Sequence, residues 1–330
     1  MGTVPVPRLI SRDKEERHGF AAALRRWGVW GAISGPLILM IASLPAAGEA
    51  PAALRVVTFN LLHGGPSSGL WGDDHHLDAR LDLVVRELRA INPDIVGLQE
   101  SSISGRRHVA ARLAAELGLH WAYGSATRRV SGFGLLDRLL VWAMNFEEGP
   151  AILARWPISE VEVLDLPRCV KFYDPRVVLR AAVETPRGQL QVFSTHLTHD
   201  ACQAKRLGEI VRAHTGPLPA LVMGDFNASE STEWIQALVR DTGLVDAYRA
   251  ANPTAAGPTV WQRPEAPDPT VSRRVDFIFV HPGTAHRARV RSSEVVLSTP
   301  GRLANGLTLW PSDHYGVLAE LTLGGVEARR

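Results

Sequence analysis

Residues 220–227 read Ala-Leu-Val-Met-Gly-Asp-Phe-Asn, a short apolar run that ends in a polar cluster. The apolar run predicts a buried strand, and Gly224 allows the chain a tight exit from it. Asp225 and Asn227 lie two positions apart, so their side chains can point the same way. An Asx turn or a helix N-cap is the competing interpretation, and it suits Asn227 or Ser229 better than Asp225. Because α/β folds place their chemistry at strand ends, the segment predicts a functional site at a sheet edge.

Similar polar clusters end other apolar runs of the chain. They are Thr58-Phe59-Asn60, Gln99-Glu100, Thr195-His196-Leu197, Arg274-Val275-Asp276-Phe277 and Ser312-Asp313-His314. Taken singly, each has an ordinary structural interpretation, such as a turn-forming Asn, an exposed strand-end Glu or a buried structural His. Together they combine oxygen ligands, amides and imidazoles, a set that suits a divalent cation holding a phosphate. They predict a metal-dependent phosphoesterase.

The residue types also suggest roles on the metal side of such a site. A carboxylate such as Glu100 at the end of a strand is a good Mg²⁺ ligand, because Mg²⁺ takes one or two carboxylates and leaves its other positions to water and phosphate. The amide of Asn60 could hold a phosphate oxygen or contact the metal. Asp225 could orient a water for in-line attack, with Asn227 holding the water or the phosphate.

The histidines suggest how negative charge on the phosphate is neutralised. As a cation, His314 can balance charge that develops on phosphorus, and Asp276 could hold its imidazole in position. His196, at the end of its own strand, could supply a second donor. Five further histidines are interpreted as structural: His63, His75, His76, His199 and His281.

The body of the chain alternates strands and helices at both ends and has consecutive strands in the middle. Residues 77–91 and 109–117 have helical spacing of apolar side chains, and so do residues 202–214 and 230–240. This order predicts two packed sheets with helices outside, in one catalytic domain over residues 51–330. Residues 127–144 and 252–272 are interpreted as loops.

Residues 1–50 have the order of an export signal or a membrane anchor. A charged segment ends at Arg25-Arg26, an apolar run extends from about Trp27 to Leu44, and small residues follow near Ala47–Ala50. Cleavage near Ala47–Ala50 is the favoured interpretation, although the run borders on the length of a spanning helix. Arg25-Arg26 also fits a twin-arginine signal. The sequence therefore predicts an exported protein, either periplasmic, extracellular or anchored facing outward.

Charge and cysteine content limit the remaining possibilities. The net charge is +2, and residues 1–50 contain six of the 36 Lys and Arg and four of the 34 Asp and Glu, which leaves 30 against 30 in the body. A neutral body lacks the basic excess of a dedicated nucleic-acid binder. The spacing of Cys169 and Cys202 excludes a CxxC zinc site, and it leaves open either one disulfide or two free thiols.

The clusters resemble the endonuclease/exonuclease/phosphatase superfamily in their residues and in their order. The resemblance covers about Leu54 to Leu323. The matching segments are TFN at 58–60, LQE at 98–100, EEGPAILARWPI at 147–158, STHL at 194–197, GDFN at 224–227, RRVDFIFV at 273–280 and SDHYGV at 312–317.

The resemblance implies a four-layer α/β sandwich, in which two packed mixed β-sheets are flanked by helices, and metal-assisted hydrolysis of phosphoric esters with Mg²⁺ or Mn²⁺. By resemblance, Asn60, Glu100 and Asp313 lie at the metal. His196, Asp225, Asn227, Asp276 and His314 form the catalytic set. A supporting carboxylate near His196 is Glu148 or its neighbour Glu147, and Arg180 is a candidate phosphate contact.

The substrate is not determined by these clusters, because the whole family shares them. Apolar residues in the predicted loops, including 133–136 and 139–142, either contact a membrane surface or cap the sandwich. Together with the neutral body and the export signal, they favour a phospholipid or another extracytoplasmic phosphodiester over nucleic acid. An exported nuclease and a non-catalytic binding protein that retains the fold are the alternatives. We expect a monomer with no obligate protein partner.

Overall fold

Two β-sheets pack face to face in this computed structural model and carry helices on their outer surfaces. The structure describes residues 53–63, 75–169, 174–215, 219–281, 283 and 288–323, all within the compact unit Glu49–Arg330. The predicted export segment, residues 1–50, lies outside the described residues. Within the described ranges, no helix combines the length and the apolar character needed to cross a membrane.

The strands are numbered in chain order. They are β1 (Leu54–Asn60), β2 (Ile95–Ser104), β3 (Arg107–His108), β4 (His120–Tyr123), β5 (Glu147–Ala154), β6 (Ile158–Asp165), β7 (Val177–Thr185), β8 (Gly188–His196), β9 (Ala220–Asp225), β10 (Val245–Asp246), β11 (Asp276–His281), β12 (Ala288–Val296), β13 (Gly301–Arg302), β14 (Thr308–Leu309) and β15 (Gly316–Leu323).

The helices follow the same convention. They are α1 (Leu77–Ile91), α2 (Val109–Leu117), α3 (Gly134–Met144), α4 (Ala201–His214), α5 (Glu233–Thr242) and α6 (Ala247–Ala251). Two of them end as the sequence indicates. Gly118 closes α2 in the left-handed conformation, and Asn92, directly before Pro93, does the same for α1.

Both sheets are mixed. The first has the order β12-β15-β1-β2-β5-β4, with β3 paired to β2, and the second has the order β10-β11-β9-β8-β7-β6. The pairs β1–β2 and β8–β9 are parallel, and the other pairings in these sheets are antiparallel. Strands β13 and β14 form a separate hairpin.

The apolar runs are continuous because the central strands are buried on both faces. In β9, Leu221 and Met223 belong to the core between the sheets, whereas Val222 belongs to the core under α4 and α5. A third core joins α1 and α2 to the first sheet. The order helix, sheet, sheet, helix confirms the predicted four-layer sandwich.

Two features of the structure change or complete the expectations from sequence. Residues 127–144 are not simply a loop, because α3 occupies most of the segment. The helix is apolar nearly throughout, with Asp137 and Arg138 as its only polar side chains, so no alternation of apolar and polar faces identifies it in the sequence. The question left open for the cysteines is answered by a disulfide between Cys169 and Cys202, with a Cα–Cα distance of 6.5 Å.

Gly224 is required for a reason different from the expected tight exit. It lies within β9, beside β8, and a Cβ placed on it would come to 2.0 Å from the carbonyl oxygen of Thr195. A backbone atom cannot move aside as the end of a side chain can. The close contact of the two parallel strands immediately before Asp225 therefore depends on glycine at this position.

We predict that Gly224→Ala lowers the free energy of unfolding by about 3 kcal/mol, because the new methyl group overpacks the β8–β9 contact. Urea unfolding followed by circular dichroism measures the change. Gly134→Ala is the matched control, since a Cβ at Gly134 meets nothing within 4 Å. Equal stability of the two variants would contradict this account of Gly224.

Candidate active site

The sheet register brings the predicted residues to one edge of the sandwich. Strand β9 lies between β8 and β11, and Asp225 pairs with His196 on one side and with Asp276 on the other. In the opposite sheet, Asn60 pairs with Gln99 at the ends of the parallel strands β1 and β2. Because both parallel pairs end at this edge, residues that are far apart in sequence become neighbours.

Asp225 is the centre of this cluster and is only 1% exposed. Its Oδ2 accepts a hydrogen bond from the Asn60 amide at 3.1 Å. The same oxygen lies 3.3 Å from Nε2 of His196 and 3.7 Å from Nε2 of His314. Its Oδ1 accepts the backbone N–H of Asn227 at 2.7 Å. Burial raises the pKa of Asp225 above its ordinary value, and Asp276 adds to this, while His314 acts against it.

His314 and Asp276 form a buried pair next to Asp225. Nδ1 of His314 lies 3.0 Å from Oδ2 of Asp276. Burial alone would lower the pKa of His314, but the carboxylates of Asp276 and Asp225 outweigh burial and raise it to about 10. The imidazole is therefore a cation at neutral pH, held with its Nε2 toward Asp225. This is the arrangement that the sequence predicted for these residues.

Glu100 reaches the site through a β-bulge. The pairing of β2 with β5 slips by one residue between Leu98 and Ser101, and Glu100 adopts a left-handed backbone with φ of 54°. Bulges of this kind redirect a side chain at a sheet edge. The Glu100 carboxylate consequently accepts hydrogen bonds from the Asn60 amide at 3.2 Å and from the His63 backbone N–H at 3.2 Å.

The electrostatics of Glu100 reflect two opposing effects. Burial favours the neutral acid, whereas the imidazoles of His196 and His63, in their charged forms, and the hydrogen bonds from Asn60 and the His63 N–H lower the pKa of Glu100. Glu100 is therefore an anion at neutral pH. It is a half-buried negative charge at the point where the sequence predicts a metal ligand.

Glu148 and His63 extend this carboxylate cluster. Nε2 of His63 lies 3.5 Å from Oε2 of Glu100 and 3.7 Å from Oε2 of Glu148. Burial and the charge of Glu100 raise the pKa of Glu148. The alternative Glu147 instead forms an ion pair with Arg128 at 2.7 Å, so the structure favours Glu148 of the two candidates.

His196 and Asn227 form the opposite side of the cluster. The Asn227 side-chain amide donates to the Leu197 carbonyl at 2.9 Å and lies 2.9 Å from Nε2 of His196. Because an amide NH₂ group only donates, Nε2 of His196 is the acceptor of this contact. Burial and the positive charge of Arg176 lower the pKa of His196 well below its ordinary value. His196 is therefore neutral at neutral pH, in contrast to His314.

The carboxylates of this edge fit a divalent metal ion. Asp313 accepts a hydrogen bond from Ser312 at 3.1 Å. Burial and Glu100 raise the pKa of Asp313, with His314 acting against them. Glu100 thus disfavours ionisation of both Glu148 and Asp313, which shows that negative charge is concentrated among hard oxygen ligands. Such a set matches Mg²⁺-type ions. Asn60 was expected to contact the metal, but its side-chain oxygen instead accepts the Leu62 N–H at 3.0 Å. Its NH₂ group is the part that faces the carboxylates of Glu100 and Asp225.

Arg80 fixes the loops that carry these residues. Its guanidinium, only 1% exposed, donates to the carbonyls of Leu61 at 2.6 Å, Leu62 at 2.7 Å, His75 at 2.7 Å and Pro311 at 3.2 Å. These carbonyls belong to the segment after β1 and to the residue directly before Ser312. One buried side chain on α1 therefore joins the two segments that hold Asn60 and His314.

The structure does not bring Arg180 to the cluster. Its guanidinium contacts Gln191 at 2.9 Å, Glu160 at 2.7 Å and Glu162 at 3.3 Å, all within the second sheet. Arg176, four residues earlier, lies there instead and lines a small cavity with Glu100, Glu148 and His196. The expectation that Arg180 contacts phosphate is therefore corrected. The site lies next to the first residue of β7, which places Arg176 at the site and Arg180 farther along the strand, away from it.

Three site residues were missed by sequence reasoning. His63 was interpreted as structural, although it follows Asn60 by only three positions and shares its strand end. Arg176 directly precedes β7, a position that could have been recognised once the sheet edge was known. The Arg176 guanidinium forms an ion pair with Asp174 at 3.0 Å, and its buried Nε has no hydrogen-bond partner among the described residues. Arg80 gave no signal, because an arginine on a helix is usually exposed.

Comparisons with known proteins agree with the geometry. The family model described as Endonuclease/Exonuclease/phosphatase family matches residues 57–314. The chain belongs to this family, and it is an enzyme, a metal-dependent phosphoric ester hydrolase. No curated protein is significantly similar to the chain in sequence.

Solved structures with the same fold include three bacterial proteins. An endonuclease/exonuclease/phosphatase from Beutenbergia cavernae is 25% identical, with a TM-score of 0.57, and the match covers 83% of this chain and 72% of that one. A family protein from Bacteroides thetaiotaomicron is 21% identical, with a TM-score of 0.62 and coverage of 84% and 100%. A mannosyl-6-phosphatase from Bacteroides thetaiotaomicron is 21% identical, with a TM-score of 0.58 and coverage of 81% and 99%.

We predict that Arg80→Met lowers the free energy of unfolding by about 3 kcal/mol, because buried carbonyls lose their donor. Activity on a soluble phosphodiester should fall as well, since both loops lose their common support. Urea unfolding and kcat measure the two effects. Arg86→Met, an exposed arginine on the same helix, is the control, and equal stability of the two variants would contradict the role of Arg80.

We also predict that Arg176→Gln lowers kcat/KM for a soluble phosphodiester by about a hundredfold, because a charged donor to the substrate is lost. Arg180→Gln should retain most of the activity. Steady-state kinetics on both folded variants checks this difference. A larger loss in Arg180→Gln than in Arg176→Gln would restore the original assignment.

Proposed function

We propose that the protein is a Mg²⁺-dependent phosphodiesterase that acts on an extracytoplasmic substrate such as a phospholipid. The observation that carries the proposal is the buried Asp225 carboxylate, which lies between a cationic His314 and a neutral His196 at the edge that also holds Glu100. This combines a group that can orient and deprotonate water with a fixed positive charge. Both are needed to hydrolyse a phosphoric ester at neutral pH.

The roles of the side chains follow from their contacts. Asp225, with its raised pKa, orients a water and accepts one of its protons while the water oxygen forms a bond to phosphorus. Asn227 fixes the backbone turn at Asp225 and the imidazole of His196. The His314 cation, held by Asp276, neutralises charge on the phosphoryl oxygens. The bond to the leaving oxygen breaks with its electron pair, and that oxygen takes a proton from solvent.

Glu100, with Glu148 and Asp313 beside it, would hold the divalent ion. When bound, the ion supplies positive charge that polarises a phosphoryl oxygen or stabilises the leaving oxygen. We propose Mg²⁺ because the candidate ligands are carboxylate oxygens, with Mn²⁺ as the alternative of similar preference. Asn60 then acts by orienting the two carboxylates that it contacts, Glu100 and Asp225.

The proposed substrate class rests on features outside the cluster. The body carries as many acidic as basic residues, which does not favour a polyanionic duplex. Residues 1–50 have the composition of an export signal. The exposed apolar helix α3 ends four residues before Glu148. These features favour a lipid-borne phosphodiester, presented to a monomeric, exported enzyme, over a nuclease substrate.

We predict that His314→Ala and Asp225→Asn each lower kcat for bis-p-nitrophenyl phosphate by about a thousandfold. EDTA should abolish wild-type activity, and added Mg²⁺ should restore it. His281→Ala is the matched control, because His281 lies on β11 after Asp276 but contacts no member of the cluster among the described residues. Unchanged activity in either cluster variant would refute the site assignment.

A substrate panel then tests the substrate class. The purified protein is assayed in parallel on phosphatidylcholine, sphingomyelin, supercoiled DNA, RNA and mannose 6-phosphate. We expect the highest kcat/KM on a phospholipid, which the enzyme would hydrolyse to a phosphomonoester and an alcohol. A higher value on DNA or RNA would replace it with an exported nuclease, and a higher value on the sugar phosphate with a phosphomonoesterase.

A further inference from the structure

We propose that α3 is an interfacial helix that seats the enzyme on the surface of an anionic phospholipid bilayer. This inference rests on the proposed function, since it identifies the surface from which a lipid substrate would be taken. It commits to a bilayer as the partner of the apolar face of α3. That face is defined here as Phe133, Leu135, Leu136, Leu139 and Trp142.

The polarity of α3 is inverted relative to a helix of a soluble protein. The only buried side chain in the helix is Asp137, which is 2% exposed and accepts the backbone N–H of Ser131 at 2.6 Å. The exposed fractions of the apolar face are 73% for Phe133, 75% for Leu135, 46% for Leu136, 53% for Leu139 and 80% for Trp142. A surface helix ordinarily buries its apolar residues and exposes its acids. In α3 the exposed side is the apolar one, so it suits an apolar environment better than water.

The apolar face is continuous along the helix. Leu135, Leu139 and Trp142 are spaced by four and three residues, so they form one stripe over two turns. Phe133, directly before the helix, extends the stripe at its amino-terminal end. Contiguous exposed apolar patches of this kind mark interaction sites on soluble proteins.

The residues next to this face favour a bilayer over a second protein surface. Trp and Phe lie well at the boundary of lipid headgroups and acyl chains, where interfacial helices combine them with Leu and flanking Arg. Arg138 is exposed on α3 itself, and Arg106 is exposed on the turn between β2 and β3. The Gly105 N–H donates to Asn145 at 3.1 Å, which ties this turn to the end of α3.

Neither Arg106 nor Arg138 forms an ion pair with another described residue. Two guanidinium groups are therefore available beside an apolar stripe, in the arrangement that pairs with lipid phosphates while the stripe enters the acyl region. The same pairing explains the choice of an anionic bilayer.

The face is connected to the active site through a short segment. Asn145 ends α3 in the left-handed conformation, and Phe146 follows it. The Phe146 ring packs edge-on against His63, with a centroid distance of 5.2 Å. His63 in turn contacts Glu100 and Glu148. A bilayer in contact with α3 would thus present its headgroups next to the carboxylate cluster.

The test uses the full chain and vesicles of phosphatidylcholine with or without phosphatidylglycerol. We expect the wild type to sediment with the anionic vesicles, and Leu135→Ser/Trp142→Ser to bind them at least about tenfold more weakly. Arg138→Glu should weaken binding to anionic vesicles by roughly tenfold and change binding to neutral vesicles little. Val161→Ser/Leu307→Ser, two exposed apolar residues of other elements, is the control and should bind as the wild type.

A second measurement locates the contact independently of any other membrane-binding segment. In a Trp27→Phe/Trp30→Phe background, which removes the tryptophans of the predicted export segment, vesicles with brominated acyl chains should quench the tryptophan fluorescence, and Trp142→Phe should remove most of that quenching. Hydrolysis of bis-p-nitrophenyl phosphate by Leu135→Ser/Trp142→Ser should equal that of the wild type, because neither residue belongs to the catalytic cluster. Loss of vesicle binding with retained hydrolysis would support the inference.

The inference and the proposed function can fail separately. Equal vesicle binding by the wild type and Leu135→Ser/Trp142→Ser, or quenching that persists in Trp142→Phe, overturns the inference. A wild type that is dimeric by light scattering, with a monomeric double variant, assigns the face to a second copy and also overturns it. Normal vesicle binding without turnover of any phosphodiester leaves the inference standing and refutes the proposed function.

Discussion

The burial of one carboxylate, that of Asp225, determines how the catalytic edge is built. An ionisable group that is removed from water needs hydrogen-bonding or charged partners, because an unpaired buried charge lowers the stability of the fold by roughly several kcal/mol. Asn60 from the opposite sheet and His314 from a distant loop each supply a polar contact to this side chain, and His196 lies beside it on the neighbouring strand. The two sheets are therefore held together at this edge by polar contacts as well as by their common core.

The backbone around Asp225 follows from the same requirement. Gly224 lets β9 approach β8 so closely that His196 lies beside Asp225, and a bulge in β2 directs Glu100 toward the same point. Arg80 holds the segments that deliver the remaining partners. We expect activity and stability to be linked at these positions, because the contacts that position the candidate catalytic groups also close the sandwich.

Much of the fold and of the site could be predicted from sequence. The strands buried on both faces have continuous apolar runs, and the polar residues that end those runs, such as Asp225 and His314, stand out from them. Three features could not be predicted. Arg176 and Arg180 differ only in their distance from the sheet edge that holds the site. Choosing between them requires knowledge of the register of β7, which the sequence does not provide. The helix α3 was missed because it is apolar nearly throughout and shows no polar face in the sequence, and Arg80 because its partners are backbone carbonyls.

Two catalytic-edge residues, Glu100 and Asn227, have left-handed backbones, with φ of 54° and 51°. Asparagine tolerates this conformation, whereas glutamate is strained by it. Replacing Glu100 by glycine would relieve that strain at the cost of a carboxylate. Selection of this protein for heat resistance alone would therefore act against Glu100, the residue that we propose as a metal ligand. More stable variants should therefore be sought away from the bulge, in the outer helical layers of the sandwich, where substitutions can raise stability without loss of activity.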